Sequence, residues 1–376
     1  MTKQGGVIIM KAIYIGCGAA GNKSLISLIS TGVADINDCI MINSTSKDFP
    51  KEFDGKKIVM NPKGEGGCGK ERTIAHEYAL KLIKEGMLNI PMNDYTTVII
   101  IGSCEGGTGS GSIPILGQFF AKVYNRNVHI IGFTGFEEDV RGLSNTIEFF
   151  KEMDSSLVIQ TISNASFLQE AGGNKFKAEQ LANVELCKRI AILTGKDFIA
   201  SSQNIDDTDI LKVSNTSGYM TVESAYLDKP LVDVEDFNKV VKQMIYNSHS
   251  IKSKNPGAIR IGVILNIRPE SEDAIDYSFS LIKEAYGNPY ECFQQKQWDG
   301  KREYIQFIVS GMQMPLEEVQ KIYDRYNEAF QKVQQGNDQF YKAVDSMNLD
   351  PSAGRFDMIK PVEKGMSIEA FLNENK

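Results

Sequence analysis

From residue 11 to about residue 200 the chain alternates short, β-branched apolar runs with longer stretches in which apolar residues recur every three or four positions. "KAIYIG" (11–16), "CIMIN" (39–43), "TTVIIIGS" (96–103) and "VHIIGFTG" (128–135) have the length and continuous apolarity of strands buried on both faces. "KSLISLISTG", "RTIAHEYALKLIKEG", a helix expected after Pro114, and "LSNTIEFFKEM" read as the helices between them. Such alternation predicts an α/β fold with a doubly wound parallel sheet, in which ligands bind beyond the carboxyl ends of the strands. "KAEQLANVELCKRIAIL" (177–193) is a largely apolar helix placed to link this first domain (1–176) to the next. With it, residues 177–200 form a central helix and its exit. A second, smaller α/β domain is expected over 201–314, from "AIRIGVILNI", the helical "SEDAIDYSFSLIKEAYG" and the strand "EYIQFIVSG". "PLEEVQKIYDRYNEAFQKVQQ" sets Leu316, Val319, Ile322, Tyr326 and Phe330 on one face, so 315–347 reads as a long C-terminal helix and 348–376 as a tail.

Composition narrows the class without naming it. With 42% hydrophobic and 24% charged residues over 376 positions, the chain has ample core material for two domains. It shows no apolar run long enough to span a membrane and no signal-peptide pattern at its start, so a cytoplasmic location is expected. Six cysteines without a CxxC pair, and three dispersed histidines (His76, His129, His249), give no disulfide or zinc framework. A net charge of −7 argues against direct binding of nucleic acid.

The candidate chemistry lies in three glycine-rich loops near strand ends. "GCGAAG" (Gly16, Gly18, Ala19, Ala20, Gly21) fits G-x-G-x-x-G after a strand and before a helix, which alone suggests a dinucleotide fold. The next strand, however, ends at Asn43 where a ribose-binding acid would stand. "GEGGCGK" (64–70) keeps the Walker A spacing up to Lys70, but Glu71 replaces the hydroxyl residue that would hold magnesium. "EGGTGSG" (105–111) follows the most apolar strand of all. One such loop is ordinarily a tight turn, whereas three offer backbone N–H groups that can converge on a polyphosphate.

Together the motifs resemble those of the tubulin/FtsZ superfamily. "EGGTGSG" is similar to its G-G-G-T-G-[ST]-G signature, and "CGAAGN" to its first loop, with Asn22 at a guanine-contact position. "FEEDVR" resembles F-E-G-x-x-R, which implies Glu137 at the ribose and Arg141 near the nucleotide. "ISNASFL" and "LANVEL" imply Asn164 and Asn183 as the amides that read guanine. "NIDDTDILKV" reproduces N-x-D-x-x-D-x-x-x-V, implying Asn204, Asp206 and Asp209 as the catalytic loop, with Val213 closing the motif. The resemblance therefore implies GTP or GDP with Mg2+, cradled by Gly16, Gly18, Ala19, Ala20, Gly21, Asn22, Asn43, Gly66, Gly67, and the run Gly106, Gly107, Thr108, Gly109, Ser110 and Gly111. It also implies head-to-tail self-assembly, with hydrolysis completed by the neighbouring subunit.

Two departures stand out. Glu105 replaces the first signature glycine, and Glu179 stands where the family often stacks an aromatic ring on the base, Phe176 being off register. "EGGCGKERTIA" resembles the plasmid and phage branch, the TubZ-like group, which implies positioning of plasmid or phage DNA through a DNA-binding adaptor. The tail, with Ile368, Phe371 and Leu372 at helical offsets, is the candidate docking segment for that adaptor. The alternatives are a cell-division FtsZ-like protein and, from another class, an NAD-dependent oxidoreductase built on "GCGAAG".

Overall fold

The computed structural model describes residues 10–61, 66–88, 90–136, 139–195, 207–251, 253 and 255–346. Its centre is one ten-stranded sheet: β1 (Ala12–Cys17), β2 (Cys39–Asn43), β3 (Lys56–Val59), β4 (Thr97–Ser103), β5 (Asn127–Thr134), β6 (Val158–Ser163), β7 (Gly218–Tyr226), β8 (Arg260–Asn266), β9 (Glu291–Gln297) and β10 (Tyr304–Met312). They lie in the order 3-2-1-4-5-6-7-10-8-9. The first seven pair in parallel, β10 runs antiparallel to both β7 and β8, and β8 and β9 pair in parallel. The helices are α1 (Gly18–Ser30), α2 (Arg72–Lys84), α3 (Gly107–Lys122), α4 (Val140–Lys151), α5 (Lys175–Leu193), α6 (Asp207–Ser214), α7 (Val234–Tyr246), α8 (Ser280–Tyr286) and α9 (Leu316–Ser346).

The continuous apolarity of the central strands is explained by cover on both faces. Ile13 and Ile15 of β1, and Val98 and Ile100 of β4, pack on one face of the sheet with residues of α2, α3 and α4. Their neighbours Tyr14, Ile99 and Ile101 pack on the other, with α1 and α5. Side chains alternate along a strand, so only an unbroken apolar run satisfies both layers. The two halves of the sheet meet through a short ladder, Val158 with Gly218 and Ile159 with Tyr219.

Two helices differ from their sequence expectation. α3 begins at Gly107, seven residues before Pro114, which lies inside it. A proline there deprives the Ser110 carbonyl of its intrahelical donor, and the Arg72 guanidinium donates to that oxygen at 3.0 Å instead. The helix expected over 271–287 is confined to α8, preceded by a 3₁₀ segment over Pro269–Ala274. The Asp276 carboxylate accepts from the Ser278 N–H and from the Ser278 and Ser280 hydroxyls, and Phe279 takes φ 50°, so the chain turns where a helix would continue.

His129 on β5 ties the two halves together, with Nε2 3.1 Å from Asn215 Oδ1 just after α6. Burial lowers its pKa from an ordinary 6.5 to about 4. The folded chain therefore holds this proton less readily than the unfolded one, so stability is full above pH 6.5 and declines as pH falls towards 4. The decline amounts to about 3 kcal/mol. His129→Gln should flatten that window in thermal melts taken at pH 7 and pH 5, whereas equal pH dependence in both proteins would assign the loss elsewhere.

Candidate functional site

β1 and β4 deliver two helix starts to the same carboxyl edge of the sheet. α1 begins after Cys17 and α3 after Gly106, and neither carries a side-chain cap or an acid in its first turn. The contrast with α4, α5 and α7 is telling, because Asp139, Asn174 and Asp233 cap those helices through side-chain oxygens. The first N–H groups of a helix have no intrahelical partner, and uncapped ones present a partial positive charge suited to an anion.

The two starts touch. Gly18 takes φ +71°, and a Cβ there would lie 3.2 Å from Thr108 Cβ and 3.3 Å from Gly109 N. Gly16 and Gly21 hold α1 against the sheet, since a Cβ on Gly21 would sit 2.1 Å from the Ile101 carbonyl oxygen. Ala19 is exposed and Ala20 half-buried at the surface between the starts. Asn22 is fully buried, with neither end of its amide hydrogen-bonded. Asn43 accepts from the Ser44 N–H at 2.8 Å, and its Nδ2 is buried without a partner. The Ser44 hydroxyl meets that of Thr108 at 3.0 Å, which joins the end of β2 to the third loop.

The second glycine-rich loop, of which residues 66–71 are described, packs beside α3. Gly66 and Gly67 are exposed, and Gly107 lies so close to Lys70 that a Cβ there would be 2.9 Å from the Lys70 backbone. Lys70 Nζ pairs with Asp139 at 2.7 Å, and Arg141 with Glu71 at 2.6 Å. Asn145 Nδ2 donates to the Lys70 and Glu105 carbonyls, both at 2.9 Å. Arg72 forks onto Glu152 at 2.8 and 2.6 Å. Within the third loop Ser110 is buried, its hydroxyl donating to the Gly106 carbonyl, and Gly111 packs on the Arg72 carbonyl of α2. Lys70 is thus bound to α4, unlike a Walker lysine reaching a phosphate, and Glu71 serves as the partner of Arg141.

A cleft of about 260 Å³ opens beside these helix starts. Ala19, Ala20 and Lys23 of α1 line it, with Glu105 of the third loop and Phe136, Asn164, Glu179 and Asn183. The Asn183 side chain is oriented by two bonds, Nδ2 donating to the Glu179 carbonyl at 3.0 Å and Oδ1 accepting from the Ser24 hydroxyl at 2.6 Å. The Glu105 side chain lies against Gly135 and Gly142, on the wall between the third loop and α4. Larger hollows of about 950 and 1350 Å³ flank α7, but they contain none of the glycine-rich loops. Glu137 lies outside the described residues. Ser24, Ser44, Lys23 and Phe136 were not singled out from sequence; Ser24 and Ser44 carried a weak signal, each following closely on a proposed contact in its loop.

The acidic motif is at the other end of the strands. Asn204 and Asp206 lie outside the described residues, while Asp209 sits on α6 with Lys212 Nζ 3.1 Å from its Oδ1. Val213 is buried against Gly262 and anchors the helix. α6 leads into Gly218, which pairs with Val158 at the start of β6, whereas Asn164 of the cleft follows the end of β6. At ~3.3 Å per residue the six residues of β6 separate the two by about 20 Å. α5, 19 residues long, covers about 28 Å over the same course at ~1.5 Å per residue. Among the described residues no cluster of three His, Cys, Asp or Glu side chains suits a metal, and no helix is long and apolar enough to cross a membrane.

No family model matches the chain. Over 249 residues it is 24% identical to cell division protein FtsZ 1 of Methanocaldococcus jannaschii, covering 60% of this chain and 66% of that protein. Over 129 residues it is 33% identical to the tubulin-like protein TubZ of Clostridium botulinum C phage, covering 33% of this chain and 34% of that one. The match thus spans less than two thirds of each relative's length. Among solved structures the chain resembles a GTPγS-bound protofilament of CetZ2 from Haloferax volcanii, with a TM-score of 0.70 at 17% identity over 86% of this chain and 100% of that one. It also resembles a GTPγS-form protofilament of TubZ from Bacillus thuringiensis serovar israelensis, with a TM-score of 0.68 at 16% identity over 88% and 94%. The chain thus has the fold of the tubulin-like CetZ2 and TubZ structures, and its sequence is similar to members of the tubulin/FtsZ superfamily.

Proposed function

We propose that this protein is a GTPase that polymerises head to tail, with each GTP bound by one subunit and hydrolysed by the next. The observation that carries this reading is the meeting of two uncapped helix starts at Gly18 and Thr108, with Asp209 displaced to the opposite end of the strands. The first arrangement suits a polyphosphate; the second leaves that phosphate without a water-directing group inside the same subunit. A stacked neighbour supplies it: the Asp206 and Asp209 carboxylates of its catalytic loop position and polarise the attacking water. The protofilament form of the similar CetZ2 and TubZ structures supports such stacking.

Magnesium, when bound, offsets the charge of the phosphates. The Ser44 and Thr108 hydroxyls and the Glu105 carboxylate are oxygen donors of the kind it takes, the rest of its shell being phosphate and water. Guanine is read at the far end by Asn164 and Asn183, because an amide both donates and accepts whereas an apolar wall separates purines poorly. Asn183→Leu removes that amide and leaves the polar edge of the base unsatisfied, while the Ser24 hydroxyl keeps its bond to the Ala20 carbonyl, so GTP should bind roughly ten- to a hundredfold more weakly, a loss of about 1–3 kcal/mol. Unchanged affinity in a nucleotide titration would return Asn183 to a purely structural role.

The similarity to phage TubZ supports a TubZ-like role in moving plasmid or phage DNA within the cytoplasm. Cargo is held by a DNA-binding adaptor on residues 348–376, which lie outside the described residues; the acidic balance of the chain accords with that division of labour. The similarity to FtsZ 1 favours a second reading, a role in cell division, which shares the same GTPase cycle. Cutting after Asp350 separates the adaptor idea from the rest. The shortened protein should assemble with GTP yet lose its partner, and retention of every partner would discard the docking segment.

A further inference from the structure

We propose that Phe136 is the residue on which the purine base stacks, taking the place of the aromatic ring that Glu179 denies to α5. A purine presents two flat faces, and a site that binds only its edges leaves those faces against water; an aromatic ring covers one at little conformational cost. Four phenylalanines lie near the base end, of which Phe167, in the turn that carries Asn164, is 4% exposed and stacked on His249. Phe176, at the start of α5, is 64% exposed and is not among the residues lining the cleft. Phe133 lines it but is 4% exposed, its ring committed to the core beside Ile131 and Ile162. Phe136 is partly buried against that same core and forms part of the cleft wall with Asn164 and Asn183. Lys175 Nζ lies over its ring, 5.5 Å from the centroid. The cleft thus combines two amides for the base edge with one aromatic ring in its wall. The loop that carries Phe136 also carries the residue implied for the ribose, so base and sugar contacts arise from one stretch of chain.

This assignment rests on the reading of the cleft as a GTP site, and its test separates the two. Wild type and Phe136→Ala are titrated calorimetrically with GTP and with inorganic tripolyphosphate, after circular dichroism shows both proteins folded. Loss of stacking should weaken GTP binding roughly tenfold or more and leave tripolyphosphate binding unchanged. Phe136→Trp supplies a direct signature that does not depend on the alanine variant folding: its added emission, compared with wild type carrying Trp298 alone, should be quenched by GTP and not by tripolyphosphate. Equal GTP affinity of wild type and Phe136→Ala, a parallel loss for tripolyphosphate, or unaltered emission from Phe136→Trp would each overturn the stacking role while leaving the GTP site standing. A wild-type protein that binds no GTP removes both.

Discussion

Asp209→Ala is expected to bind GTP and to polymerise, but to hydrolyse GTP about a hundredfold or more slowly, as loss of a group that directs the attacking water allows. The reasoning is geometric. Asp209 is not in the nucleotide cleft; it rides on α6, which the buried Val213 and the His129–Asn215 bond fix near the start of β5 and β6. Truncation removes its pairing with Lys212, an exposed contact worth little to stability, and leaves α6 anchored. Filaments of the variant should therefore form at the wild-type critical concentration and then persist, because the event that weakens the stack is delayed. Phosphate release and light scattering recorded on one sample separate the two effects. Normal turnover by Asp209→Ala, or failure to assemble by a folded variant, contradicts the assignment.

Gly21→Ala is expected to be the most damaging conservative change in the glycine-rich loops. Its Cβ would lie 2.1 Å from the Ile101 carbonyl oxygen and close to Gly16, atoms of two paired strands that cannot yield separately. Overpacking of a closed core costs about 1–3 kcal/mol, and a clash against backbone belongs at or beyond the upper end. The contact joins α1 to β4, the strand that leads to α3, so binding at the proposed GTP site is expected to fail with it. Gly66→Ala is the matched control, since nothing lies within 4 Å of its added Cβ and stability should stay within about 0.5 kcal/mol. Equal melting temperatures for the two variants would show that α1 can shift to admit the methyl group.

The pair also shows what the sequence could and could not convey. The parallel, doubly wound sheet was legible because β1 and β4 must satisfy two apolar layers, and their unbroken runs say so. The spacing of "GCGAAG" was legible too, but not its meaning: read alone it suggested a dinucleotide fold, and in the structure Gly21 is required by packing while Gly18 is required by its φ and by Thr108. Continuity of the sheet through Val158–Gly218 was hidden, since a ladder of two pairs leaves no mark in either strand. The early start of α3 was hidden by Pro114, whose cost is met by Arg72 from a different helix. The pairing of Arg141, implied to lie near the nucleotide, with Glu71 was also hidden, since only the fold brings residues so far apart in sequence together. Phe136 opens a recognised motif, yet the stacking role proposed for it depends on Phe176 facing solvent, a fact of tertiary placement.

The central claim is that the site is divided between subunits, and the dependence of GTP hydrolysis on protein concentration tests it most directly. Phosphate release is measured per subunit from well below to well above the concentration at which light scattering first reports assembly. The account predicts a rate near zero below that threshold and a steep rise as filaments form. A full rate from dilute monomers would contradict it, because Asp209 of the same chain lies a strand's length from the helix starts proposed to hold the phosphates.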